Sequence, residues 1–319
     1  MRSFIISEND SGQRLDKFIT KAVPDLPQAL MYKYIRLKRI KVNGGRSQIS
    51  FRLSVGDKVD MYINDEFFTE KSKKHEFDSA SRNIDIVYED QNIVLLNKRE
   101  GLLVHADGKE FRDTLILRLQ RYLFEKGEYD PETENSFAPA LVNRIDRNTC
   151  GIVIAAKNAE ALRILNSKLK DREITKKYMC LVHGVLHPKS GILTGYLEKN
   201  EDQNRVYIHE TSREGSRSIR TGYTVISEKH KMSLLEIDLL TGRTHQIRAH
   251  MASIGHPLVG DGKYGENASD KKEGFVHQAL CSYKVSFDFR TPSGILEYLN
   301  GKSFELDDIW FVKDFLSAR

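Results

Sequence analysis

The sequence predicts an α+β protein. A small N-terminal domain of helices plus short strands is tethered to a larger domain built on a mostly antiparallel mixed β-sheet flanked by helices and loops. Three observations predict it. Residues 1–62 hold 12 Lys+Arg against 6 Asp+Glu, in a chain whose net charge is only +5, so the basic excess sits in the first fifth. A polar stretch without sustained periodicity, residues 64–82, separates that block from the rest. Beyond it, apolar runs of strand length do not alternate regularly with helical ones, which disfavours a doubly wound parallel sheet.

In chain order, Ser3-Phe4-Ile5-Ile6 reads as a strand, and Arg14-Leu15-Asp16-Lys17-Phe18-Ile19 opens a helix that Pro24 and Pro27 interrupt. A second helix follows from Gln28 to about Leu37. Leu30, Met31, Tyr34 and Ile35 mark its inner face, with Lys33, Arg36 and Arg39 three apart on the flank. Ile40-Lys41-Val42 is a short strand ending in an Asn43-Gly44 turn, and an alternating strand closes near Ile63. Residues 28–46 carry cations and no acid. Such clustering suits a polyanion, because phosphate neutralisation needs grouped cations, although a solvated basic surface looks the same.

Past the polar stretch, Ile86-Val87-Tyr88 and Ile93-Val94-Leu95-Leu96 flank Glu89-Asp90-Gln91-Asn92 as a hairpin. Strands are expected at 152–156, 177–182, 234–239 and 283–289, and helices at about 160–170, 244–254 and 308–316. Residues 266–273 are polar enough to form a mobile loop. No run approaches the roughly 20 apolar residues that cross a bilayer. The first ten residues turn acidic too soon for a signal peptide, so a cytoplasmic protein with no membrane partner is expected. Cys150, Cys180 and Cys281 form no Cys-x-x-Cys pair and read as buried thiols, not a disulfide framework or zinc site.

Chemistry concentrates in Ala140-Leu141-Val142-Asn143-Arg144-Ile145-Asp146-Arg147-Asn148-Thr149-Cys150-Gly151-Ile152-Val153-Ile154-Ala155-Ala156-Lys157. Apolar runs flank a polar centre, placing Asp146 in a loop between two buried elements. Arg144 and Arg147 bracket it and favour an ionised carboxylate, as a nucleophile or base requires. Taken alone, an Asp in such a loop is more often a turn or cap residue. Farther on, Ile247, Met251 and Ile254 form a helical stripe that Gly255-His256-Pro257 stops. Arg248 flanks that stripe, where its guanidinium is expected to fork onto Asp146 and keep it ionised.

Arg144-Ile145-Asp146-Arg147 and its Gly151-Ile-Val-Ile-Ala-Ala-Lys continuation resemble the signature of the RluA-type pseudouridine synthases. Three further stretches agree, in the family's order. They are Asn97-Lys98 through Gly101-Leu102-Leu103-Val104-His105, then Lys176-Lys177-Tyr178-Met179-Cys180-Leu181-Val182-His183-Gly184, then Thr241-Gly242-Arg243-Thr244-His245-Gln246-Ile247-Arg248-Ala249-His250 with His256-Pro257-Leu258-Val259-Gly260-Asp261. The resemblance implies an isomerase that detaches uracil from its ribose, rotates it and rejoins it through carbon 5, without cofactor or metal. Asp146 would be the essential aspartate. Tyr178 would stack on the flipped base, where otherwise it reads as a core tyrosine. Arg144 would insert where the uridine leaves, and Arg147, Arg243 and His245 would contact RNA or support the loop.

The first 63 residues resemble the small RNA-binding domain of the ribosomal protein S4 type, matched by Arg14-Leu15-Asp16, the basic helix and Ile40-Lys41-Val42-Asn43-Gly44. Lys33, Arg36, Lys38, Arg39 and Lys41 would then track the RNA backbone. The expected organisation is 1–63 S4-like, 64–82 linker and 83–319 catalytic. A monomer acting on 23S rRNA is expected, with tRNA the second candidate. Asn143, Ile145, Cys150 and Arg99 depart from the family's usual His, Leu, Ser and Pro. Asn143 bears on substrate contacts, since a carboxamide cannot carry an imidazole's charge.

Two other classes are weighed. Gly260-Asp261-Gly262-Lys263-Tyr264-Gly265 matches a dinucleotide fingerprint in form, but a strand should precede it and a helix follow. A non-catalytic RNA-binding or ribosome-assembly protein would share the basic domain, yet would not need Asp146, Tyr178 and Arg248 together.

Overall fold

The computed structural model describes residues 1–68, 74–108 and 112–317. The N-terminal part contains β1 (Arg2–Ile5), α1 (Leu15–Ala22), α2 (Gln28–Arg36), β2 (Ile40–Val42) and β3 (Lys58–Met61). Its strands form an antiparallel sheet in the order β1-β3-β2. Leu15, Phe18 and Ile19 recur at helical spacing and pack with Met31, Ile35, Ile40, Val59 and Met61 into a separate core. Asn43 and Gly44 both take positive φ, the two-residue turn that matches strand twist, and Val42 and Gly45 exchange backbone hydrogen bonds across it. Lys33, Arg36, Lys38 and Arg39 are exposed and Lys41 is half-buried over the Tyr62 ring. Among the described residues none of the five is in an ion pair.

The centre of the expected linker, 69–73, lies outside the described residues. On either side the chain makes short 3-10 turns at Asp65–Phe67 and Glu76–Ser79. Phe77 is buried against Leu117 and Tyr129, so this end is packed down and not free-running. The N-terminal part is also pinned by polar contacts. Asp10, fully buried, accepts from Ser136 Oγ at 2.6 Å and from Asn135 Nδ2 at 2.7 Å. Asn9 donates to Glu134 and accepts from the Ala159 backbone.

The rest of the chain runs β4 (Ile86–Glu89), β5 (Ile93–Lys98), α3 (Leu115–Glu125), β6 (Ala140–Leu141), β7 (Cys150–Ala156), α4 (Ala159–Lys170), β8 (Ile174–His183), β9 (Ser190–Asn200), β10 (Arg205–His209), β11 (Arg217–Lys229), β12 (Met232–Asp238), α5 (Gln246–Ser253), α6 (Ala268–Lys272), β13 (Leu280–Phe287), β14 (Ser303–Glu305) and α7 (Trp310–Ser317). One large sheet has the order β10-β9-β11-β12-β8-β13-β7-β5-β4, with β14 on β13 and β6 on β7. All of these pairs are antiparallel except β13 with β7. This is a mixed α+β fold with a large, mostly antiparallel sheet. The site forms around the parallel seam, because the loop entering β7 carries Asp146.

The seam is tight. Gly151, with φ +111°, lies so close to Ser282 that a Cβ would fall 2.2 Å from its carbonyl oxygen, so only glycine fits. Two expectations are corrected. Residues 266–273 are not a mobile loop: they contain α6, whose Asp270 is buried and accepts from the Gly260 backbone at 2.7 Å while meeting His183 Nε2 at 3.0 Å. Cys180 and Cys281 are buried free thiols, but Cys150 is only half-buried. The sequence reading assigned neither α3 nor strands β9 to β11, which the structure adds. No helix of the described residues is long and apolar enough to cross a membrane.

Candidate active site

Asp146 sits in the loop between β6 and β7, with a quarter (25%) of its side chain exposed. Neighbouring backbone is fastened from two directions. Lys98, fully buried at the end of β5, donates to the carbonyls of Arg99, Leu102 and Arg147, so one ammonium satisfies three oxygens and ties down the residue after Asp146. Burial pushes Lys98 down to about 8. Gln278 reaches Thr149 Oγ1, and the Thr149 N–H closes a turn onto the Asp146 carbonyl.

Arg248 comes from α5 and is buried. Its Nη1 donates to Asp146 Oδ2 at 2.9 Å, as expected from the sequence. The expected fork onto Asp146 is corrected. Nε and Nη2 instead clasp Asp261, at 2.7 and 2.9 Å, leaving a single bond for Asp146. Burial opposes the Arg248 charge, but the two carboxylates, Asp261 foremost, outweigh it and raise its pKa. Asp261 in turn is held low by Arg248 against its own burial, and its Oδ1 also accepts the Lys263 and Tyr264 N–H groups. Gly260, at φ +78°, brings this turn within contact of the His277 backbone, where a Cβ would not fit. The glycine-rich run thus builds a carboxylate turn, not a strand-to-helix phosphate cradle.

His245 caps α5 in a left-handed conformation, φ 53° and ψ 15°. Gln246 braces it there, accepting from Thr241 Oγ1 and the Arg243 N–H and donating to the Arg220 carbonyl. The imidazole meets Tyr264 Oη through Nδ1 at 2.9 Å and lies 3.8 Å from Asp146 Oδ2 through Nε2. Its side chain is only 10% exposed, and His245 belongs to the surroundings of Asp146. Burial pushes it down to about 4, Asp146 opposing and Arg248 and Lys263 adding to the shift. Both Arg205 and Arg248 lie 5.2 Å from the Tyr264 ring centre. Tyr264 and Lys263 also line a cleft of about 710 Å³ shared with His183, Arg205 and Ser269.

Tyr178 is buried on β8, in the apolar cluster that Ile145 packs against. Burial, with the nearby Asp146 charge, pushes its phenol up to about 12, so it stays protonated. The flanking arginines do not bracket the carboxylate as expected. Arg144 is exposed and forms no ion pair among the described residues, and Arg147 is exposed with Nε on the Gly101 carbonyl. Arg243 is exposed as well. Asn143, by contrast, is buried and accepts the Ile154 N–H at 2.8 Å, so its carboxamide serves the β6–β7 junction. Lys33, Arg36, Lys38, Arg39 and Lys41 belong to the N-terminal part and take no part in this network. Lys98, Asp261 and Tyr264 were passed over in the sequence reading, although each lies inside or beside a quoted motif.

Comparison with known proteins identifies the family to which this fold and site belong. The family model described as RNA pseudouridylate synthase matches residues 92–253. A ribosomal large subunit pseudouridine synthase C from Haemophilus ducreyi is 33% identical over 89% of this chain and 87% of its own. An uncharacterized RNA pseudouridine synthase from Mycoplasma genitalium is 31% identical over 89% and 88%. Among solved structures, human RNA Pseudouridylate Synthase Domain Containing 4 matches with a TM-score of 0.56 at 20% identity, covering 73% of this chain and 91% of that one, a likeness of fold. The chain belongs to the RNA pseudouridylate synthase family, as a pseudouridine synthase of the RluA type.

Proposed function

We propose that the protein isomerises specific uridines of large-subunit ribosomal RNA, 23S rRNA in a bacterial cell, with Asp146 as the catalytic carboxylate. The observation that carries this reading is the Arg248 Nη1 to Asp146 Oδ2 bond of 2.9 Å, which holds a partly exposed carboxylate in a fixed direction. The target base leaves its stack and enters the site. The glycosidic C1′–N1 bond breaks, uracil turns, C1′–C5 forms, the C5 proton is lost to solvent and N1 takes one up from solvent. Arg248 keeps Asp146 ionised and oriented. Tyr178, protonated and apolar in its surroundings, offers a ring beside the base. Exposed Arg144, Arg147 and Arg243 meet backbone phosphates.

Ribosomal RNA as substrate is supported by relatives whose names specify the ribosomal large subunit. Residues 1–63 act as an S4-like RNA-binding domain, 64–82 as its tether and 83–319 as the catalytic domain, in a cytoplasmic monomer. The helix-helix-strand order and the exposed Lys33, Arg36, Lys38 and Arg39 support that reading. The test is to map pseudouridines in rRNA and tRNA from cells lacking the protein, then restore wild type or Asp146→Asn. Loss of particular rRNA sites, regained only with wild type, is expected. An unchanged map, with no product from purified protein on rRNA transcripts, overturns the substrate; losses confined to tRNA move it there.

A further inference from the structure

We propose that His245 and Tyr264 form a positioning pair for Asp146. Tyr264 donates to His245 Nδ1, Nε2 therefore carries the ring proton and faces Asp146 Oδ2, and Oδ1 is left as the oxygen that meets the substrate. The inference deepens the reading of Asp146 as the catalytic carboxylate and rests on it.

Three contacts carry the argument. The Val206 N–H donates to Tyr264 Oη at 2.9 Å, which occupies the phenol as an acceptor. The phenolic proton then has one partner among the described residues, His245 Nδ1 at 2.9 Å. The opposite tautomer would leave that proton without an acceptor among the described residues and point the Nε2 lone pair at a carboxylate 3.8 Å away, an electrostatic clash. The imidazolium is disfavoured as well. Asp146 and Asp261 attract it, but burial, Arg248 and Lys263 prevail, and the ring titrates at about 4.

The consequence falls on Asp146. Arg248 Nη1 and His245 Nε2 both address Oδ2, at 2.9 and 3.8 Å, while no donor among the described residues reaches Oδ1. The Arg248 hydrogen bond to that oxygen, with the neutral His245 N–H facing it from 3.8 Å, fixes the carboxylate's rotation and keeps the other oxygen unencumbered. Tyr264 ties this arrangement to the rest of the site, since its backbone N–H is held by the same Asp261 that clasps Arg248. The left-handed backbone of His245 is strain that serves to aim the ring.

The direct test uses the resting full-length protein with 15N-labelled histidine. His245 signals, assigned by their loss in His245→Gln, should show an unprotonated Nδ1 and a protonated Nε2, unchanged from about pH 5 to 8. A protonated Nδ1, or an imidazolium near pH 7, overturns the proposal. Turnover supplies the second arm. His245→Leu should lower kcat about tenfold with KM for RNA within about twofold, and His245→Gln, whose amide restores a donor near Nε2, should regain most of it. Both variants bear the same left-handed backbone, so equal losses, or none, overturn the role. Activity retained in Asp146→Asn would instead sink the reading of the carboxylate, which the tautomer measurement does not depend on.

Discussion

Arg248 divides its donors between two carboxylates, and the division sets what each does. Asp261 takes the fork and is fully buried, whereas Asp146 takes one bond and remains reachable. Removing the Asp261 charge would leave the buried guanidinium with Asp146 as its one carboxylate among the described residues, at a cost of up to about 3 kcal/mol. Asp261→Asn should therefore lower the unfolding midpoint and kcat together, with RNA affinity nearly kept. Wild-type stability and kcat in that variant would contradict the assignment. The sequence made Asp146 and Arg248 legible, but not which carboxylate receives the fork. Asp261 lies thirteen residues beyond Arg248, and the Gly260 turn brings it within hydrogen-bond reach of the guanidinium. The same limit explains Arg144 and Arg147: neighbours in sequence, their side chains leave the carboxylate for solvent and for the Gly101 carbonyl.

At the scale of elements, α5 concentrates the pH dependence. His245 and His250 are both pushed down to about 4 by burial, from an ordinary 6.5. Unfolded chain therefore binds more protons between those values, so stability is full above 6.5 and lost as the pH falls toward 4, by at most about 3 kcal/mol per histidine. Denaturant midpoints measured from pH 7 to 4 should fall, and less steeply in His250→Asn. Identical slopes would argue that His250 is not held neutral. The β7–β13 seam predicts a second outcome. Gly151→Ala forces a Cβ into the Ser282 backbone and should destabilise by at least about 2 kcal/mol, seen as a lower thermal midpoint; an unchanged midpoint would mean the strands part easily. Elements with clean periodicity, such as α2, β7 and α4, were legible. Strands β9 and β11 were not, because Gly191, Thr194 and Gly195 interrupt the apolar residues of β9 and β11 opens on Arg217, Ser218 and Arg220. Helix α3 carried a signal that the reading left unassigned, with Leu115, Leu119 and Leu123 four apart and all buried.

Across the whole molecule, a basic N-terminal part is pinned through Asn9 and Asp10 to a domain whose Asp146 lies in the loop entering the parallel seam of its sheet. If the exposed cations of α2 and the following turn track RNA phosphates, neutralising Lys33, Arg36 and Arg39 together should weaken binding. It should also reduce the slope of log K against log salt by about 2, at roughly 0.7 per contact for single strands. Equal slopes for variant and wild type would remove those residues from the interface. The charge asymmetry that suggested this surface was visible in the sequence. The polar bonds that orient it were not, since Asp10 and Ser136 are 126 residues apart. Asp146 is proposed as the carboxylate that performs the chemistry of this pseudouridine synthase. Single-turnover assays of purified Asp146→Asn on large-subunit ribosomal RNA transcript test it most directly. No detectable pseudouridine is expected, with RNA affinity and unfolding midpoint close to wild type; pseudouridine formed at the wild-type rate would overturn that role.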